Sequence, residues 1–124
     1  MAWFRRTPLQ PTSRSRLRAT TDAGESYEDP SEDVLFEIVH DVEVGNSEWV
    51  IVERVADASR QTYIQTIRNR DGSYAVEYRE GDPKDHFVAQ AESFRDAHAL
   101  LAGWAFDTPG WAEGREWSRL TFMV

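Results

Sequence analysis

The stretch that most constrains this chain is YIQTIRNRDGSYAVEY, residues 63–78. Two β-prone runs flank Asp71-Gly72, and Gly, with Asp more weakly, reaches the positive φ that a tight hairpin turn requires. Two registers satisfy the turn. A two-residue turn sets Ile67 opposite Val76 and Gln65 opposite Tyr78. A three-residue loop with Gly72 in the left-handed position sets Thr66 opposite Val76 and Ile64 opposite Tyr78, which makes the better apolar ladder. The second register is the expectation. It turns Tyr74, Val76 and Tyr78 to the core and Glu77 and Arg79 to water, and a slip by one residue would exchange those faces.

The flanking segments extend the hairpin. Trp49–Val55 (WVIVERV) is an apolar, β-branched run and reads as a strand. After the turn Glu80-Gly81-Asp82-Pro83, residues His86–Gln90 read as a short strand. Four strands with short connections predict an antiparallel meander. Ser93, with Asp96 three residues on, caps a helix over 93–106. Ala97, Leu100, Leu101, Trp104 and Ala105 make the helix face that lies across the sheet. Residues 31–44 fit a helix capped by Ser31, with Val34, Leu35, Ile38, Val39 and Val42 at helical spacing, yet they also alternate as a strand would. A helix is the expectation. LTFMV, residues 120–124, is a candidate edge strand. The fold class is therefore α+β: a four-stranded antiparallel meander with a C-terminal helix packed on one face and a further N-terminal helix.

Residues 1–30 are rich in Arg, Ser, Thr and Pro without hydrophobic period, and predict a disordered tail whose last part is an acidic linker. A single α+β domain is expected over residues 31–124. Trp3-Phe4 followed by Arg5-Arg6 is the one sharp feature of the tail, either a weak membrane-surface or peptide-docking anchor or plain flexible chain. Residues 1–20 hold five Arg and no acid, giving +5, whereas residues 21–124 hold 22 acidic and nine basic side chains, giving −13. An acidic body repels nucleic acid and anionic lipid and suits a basic protein partner. No Cys is present, so there is neither disulfide nor thiolate site, and no apolar run approaches the length that spans a bilayer. A cytoplasmic location is expected. The sequence does not specify an oligomeric state.

Motifs that carry chemistry are missing. His40, His86 and His98 lack the spacing of metal ligands, no Cys completes a zinc set, and no metal or other cofactor is expected. Asp85 and His86 are neighbours on a strand and point to opposite faces. No Gly-rich phosphate loop or nucleophile elbow occurs, so no catalytic residue is assigned. The candidate partner contacts are Trp111, Trp117, Glu77, Arg79 and Asp82. The two Trp side chains either present an indole surface or close the end of the core. An alternative set, Tyr63, Gln65, Glu77 and His86, would line a pocket between sheet and helix.

YIQTIRNRDGSYAVEYREG, HFVAQAESFRDAHALLAGWAFDTPGW and a final Trp resemble small, uncharacterised actinobacterial proteins. In those proteins a Gln-bearing strand, an Asp-Gly turn, a Glu-Tyr-Arg strand and a Trp-containing helix recur. The same pattern is loosely similar to an α+β family of immunity proteins from bacterial polymorphic toxin systems. That resemblance implies a bacterial, non-enzymatic protein that binds and blocks another protein. Two other classes stay open at this point: a small-molecule binder or small enzyme using the sheet–helix pocket, and a structural or regulatory subunit whose Arg-rich tail threads into a larger assembly.

Overall fold

The computed structural model describes residues 16–121. Strands β1 (Leu17–Thr21) and β2 (Ser26–Glu28) come first, then helix α1 (Glu32–Glu43). Strands β3 (Trp49–Arg54), β4 (Thr62–Arg68), β5 (Tyr74–Glu80) and β6 (His86–Ala91) follow, then helix α2 (Phe94–Ala105) and the two-residue strand β7 (Ser118–Arg119). The seven strands form one sheet in the order β2-β1-β3-β4-β5-β6-β7, and every neighbouring pair is antiparallel.

The meander β3–β6 and the helix after it agree with the sequence reading. In the β4–β5 hairpin, Ile64 faces Tyr78 and Thr66 faces Val76. Asn69 N–H donates to Ser73 O and Gly72 N–H to Asn69 O, leaving Gly72 at φ +92°, so the three-residue loop is the one adopted. Residues 31–44 are helical: Ser31 Oγ accepts from Val34 N–H at 3.2 Å, and Leu35, Ile38, Val39 and Val42 are buried. Ser93 Oγ accepts from Asp96 N–H at 3.2 Å and starts α2 in the same way.

The sheet has seven strands rather than the four expected, because β1 and β2 extend one edge and β7 the other, and two further expectations need correction. The first is the tail extending through residue 30. Leu17, Ala19 and Thr21 alternate inward along β1 and pair with β3, so the folded unit includes at least Leu17. Polar outward residues, Arg18 and Thr20, mask this period in the sequence. Trp3, Phe4, Arg5 and Arg6 lie outside the described residues. The second is the final strand: the described residues place one at Ser118–Arg119 and none at 120–121, while the remainder of the expected 120–124 strand lies outside the described residues.

Both helices pack on the same side of the sheet. Leu35, Ile38, Val39 and Val42 of α1 and Leu100, Leu101 and Trp104 of α2 join Val50, Val52, Ile64, Tyr74 and Val76 in one buried cluster. Burial of this kind is the principal favourable term in folding, at roughly 25 cal/mol per Å² of apolar surface. The opposite side of the sheet carries no helix among the described residues.

Candidate functional site

Strand alternation places three cross-strand rows on the helix-free face. Trp49, Ile67 and Ala75 make a row that is apolar up to Gln90 on β6; Thr20, Ile51, Gln65, Glu77 and Val88 make the middle one; Arg18, Glu53, Tyr63, Arg79 and His86 make the third. Ile67 is 46 % exposed, a large apolar side chain in water. All four residues of the alternative pocket set, Tyr63, Gln65, Glu77 and His86, thus share one face. It is the face away from the helices. The space between sheet and helices, where that pocket was expected, is filled by Tyr74, Val76, Leu100, Leu101 and Trp104.

A directed hydrogen-bond network links the rows. Arg79 Nε–H donates to His86 Nδ1 at 3.0 Å. Arginine has no acceptor, so the ring hydrogen belongs on Nε2, which donates to Glu77 Oε1 at 2.8 Å. Gln65 Nε2 donates to the same oxygen at 3.2 Å. Arg79 Nη1 donates to Gln61 Oε1 at 2.8 Å, and its guanidinium lies 5.6 Å from the Tyr63 ring centroid. Burial raises the pKa of the Tyr63 hydroxyl; Arg79 opposes that rise and Glu77 adds to it. His86 is 2 % exposed with hydrogen bonds at both ring nitrogens, so neither nitrogen is presented to a substrate. What the network does is hold Glu77 in one orientation.

Beside Glu77 lies a hollow of about 250 Å³, lined by Trp49, Gln65, Thr66, Ile67, Ala75 and Glu77. Trp49 forms its wall because the start of β3 is tied down by Asp22 at the end of β1. Asp22 Oδ1 accepts from Ser47 Oγ at 2.7 Å, Glu48 N–H at 2.7 Å and Trp49 N–H at 3.3 Å. The Glu48 N–H and Ser47 hydroxyl hold the Asp22 carboxyl below its ordinary pKa.

The five candidate partner contacts are not gathered in one place. Glu77 and Arg79 belong to the helix-free face. Asp82 sits in the β5–β6 turn, where its carboxylate accepts from Lys84 N–H at 2.8 Å. Trp111 and Trp117 pack on the helix side, with Tyr78, as three mutually edge-on rings whose centroids are 5.0–5.8 Å apart. Rings this close leave no space for a ligand between them, and they close the end of the core. A second hollow, of about 370 Å³, adjoins them. There Arg54 Nη2 donates to Trp104 O at 2.8 Å while Trp104 Nε1 donates to Glu80 Oε2 at 3.1 Å, fastening α2 to the sheet.

The sequence reading did not anticipate an aromatic group across the two helices. Phe36 stacks with His40 on α1 and meets Phe94 and His98 of α2 at 5.6 and 5.2 Å, under the Arg95 guanidinium. The spacing of Phe36 and His40, one helical turn apart, was the only available signal. Among the described residues no group of three or more His, Asp or Glu side chains is placed to hold a metal ion, and no helix is long and apolar enough to cross a membrane.

No family model matches the chain, and no curated protein or solved structure matches it either.

Proposed function

We propose that this chain is a non-catalytic binding module, an immunity-like inhibitor that docks a basic protein on the helix-free face of its sheet. The observation that carries the reading is the make-up of that face. On the face that carries no helix among the described residues, half-buried Trp49 and Ile51 and exposed Ile67 stand beside the carboxylates of Glu53 and Glu77. Apolar anchors that include an aromatic residue, rimmed by charge, are the composition of protein-binding surfaces. The net charge of −11 over residues 16–121, from 22 acidic and 11 basic side chains, would steer a basic partner to it and raise the association rate. His86 supports the same reading, since its place in the network serves orientation rather than proton transfer.

The test is affinity capture from the native host followed by hydrogen-exchange mapping of the purified complex. A basic partner in stoichiometric amount, protection concentrated in β3–β5, and binding lost on Ile67→Asp and weakened by salt are the expected results. No stoichiometric partner, or one indifferent to Ile67→Asp, overturns the proposal. Inhibition is then read directly, as suppression by this chain of the partner's activity.

A further inference from the structure

We infer that the hollow beside Glu77 receives one arginine side chain of the basic partner, and that Trp49, Gln65 and Glu77 select it. This inference rests on the binding-module reading and makes it specific. Size comes first. At about 250 Å³ the hollow falls just below the range of roughly 300–1,000 Å³ that holds drug-sized ligands and cofactors, and suits a single long side chain. It exists because the apolar row steps down from Trp49 and Ile67 to the single methyl of Ala75.

The polar wall is acceptor-rich. Gln65 Nε2 and His86 Nε2 both donate to Glu77 Oε1. Glu77 Oε2 receives no hydrogen bond from the described residues, and no Arg or Lys among them lies within ion-pairing distance of this carboxylate. The one contact of that class is with His86, whose Nδ1 accepts from Arg79 Nε–H. Arg79, two residues along, is engaged with His86 and Gln61 instead. Because the Gln65 amide nitrogen must face the carboxylate, its Oε1 is a second acceptor. Trp49 supplies the indole in the same hollow.

Two acceptors and a flat aromatic surface match a guanidinium better than an ammonium. The guanidinium is planar, stacks on indoles and offers several N–H donors in a fixed fork, whereas lysine is a compact, strongly hydrated point charge. His86 and Gln65 act as positioning residues for Glu77: they remove its rotamer freedom before the cation arrives.

The experiment titrates the isotope-labelled chain with two blocked pentapeptides, Gly-Gly-Arg-Gly-Gly and its Lys counterpart, and with free argininamide. The expected result is that the Arg peptide perturbs the Trp49 indole N–H and the Gln65 side-chain amide. It binds on the order of fivefold more tightly than the Lys peptide, the size of one exposed cation–π contact. Glu77→Gln, which keeps the shape and both incoming hydrogen bonds, abolishes the effect. Equal response to the Lys peptide overturns the arginine assignment. Tighter binding of free argininamide than of the peptide overturns it in favour of a small-molecule site. If the hollow takes no peptide while the partner still protects β3–β5, this inference fails and the binding-module reading stands. If the partner protects another surface, the reading itself has failed.

Discussion

Trp111 lies so close to Gly103 that a methyl group at position 103 would come within 2.5 Å of Trp111 Cβ. Gly103 sits inside α2 and is buried, and the contact lets the chain after α2 fold back over the helix. In an exposed helix, Gly→Ala stabilises by about 1 kcal/mol. Here the sign reverses. Gly103→Ala forces the Trp111 backbone or ring aside, an overpacking change of about 1–3 kcal/mol. Urea denaturation measures it, and a more stable variant would show that the 107–117 segment does not pack as described.

Thr21 presents the opposite case. Its side chain points into the core at 3 % exposure, and its Oγ1 has no hydrogen-bond partner among the described residues. A buried hydroxyl without a partner carries a desolvation cost of about 1–3 kcal/mol. Thr21→Val removes that group and keeps the shape, so the unfolding midpoint is expected to rise. An unchanged or lower midpoint would mean that the hydroxyl is satisfied in solution.

How far the chain could be read in advance depended on distance along the sequence. The β4–β5 hairpin was legible because its turn and its ladder lie within 16 residues, and the register put Gln65 opposite Glu77 on one face. The β1–β2 hairpin uses the same turn: Thr21 N–H donates to Glu25 O and Gly24 N–H to Thr21 O, with Gly24 at φ +88°. It leaves little trace in the sequence because only Leu17, Ala19 and Thr21 mark its inner face and the Arg-rich start obscures them. The gathering of Tyr63, Gln65, Glu77 and His86 followed from strand parity. Which face the helices leave open did not, since that is decided by where α1 and α2 pack. Asp22 holding Trp49 and the Phe36–Phe94 contact join distant segments and leave no local trace.

Arg115 fastens the chain after α2 to that helix's first turn. Its Nη1 and Nη2 donate to Asp96 Oδ2 and Oδ1 at 2.9 and 2.5 Å. Bidentate pairs of this kind are directional as well as attractive. Arg115, then the carboxylate's own burial acting against it, sets the Asp96 carboxyl below its ordinary pKa. Arg115→Ala is expected to loosen residues 107–117 and wet Trp117, whose indole N–H otherwise reaches Ala112 O at 2.9 Å. The readouts are a red shift in tryptophan emission and faster hydrogen exchange there, with the β3–β6 amides unchanged. Exchange rising equally throughout the sheet would place the bridge in the global fold instead.

Acid and alkali should each unfold this protein through a pair of residues that bind α1 to the sheet. Tyr74 Oη donates to Glu43 Oε1 at 2.7 Å and Arg68 Nε donates to the same oxygen at 3.3 Å. The Tyr74 hydroxyl, with Arg68 assisting and burial opposing, lowers the Glu43 pKa from 4.5. A depressed carboxyl contributes stability that is full above its unfolded value and lost as pH falls through the folded one. Asp22, Asp57, Asp71 and Asp96 are likewise held below 3.8, so the urea midpoint should fall between about pH 5 and pH 3. Tyr74 has the opposite sign. Burial first, then Glu43, pushes its hydroxyl far above 10.0, so its contribution is full below that value and is lost as pH rises beyond it. Tyr74→Phe should cost about 1.5–3 kcal/mol at neutral pH, the range for a hydrogen bond to a charged acceptor. It should also flatten part of both slopes. If the variant's acid and alkaline slopes equal those of the parent, the Tyr74–Glu43 bond is not what couples the fold to pH.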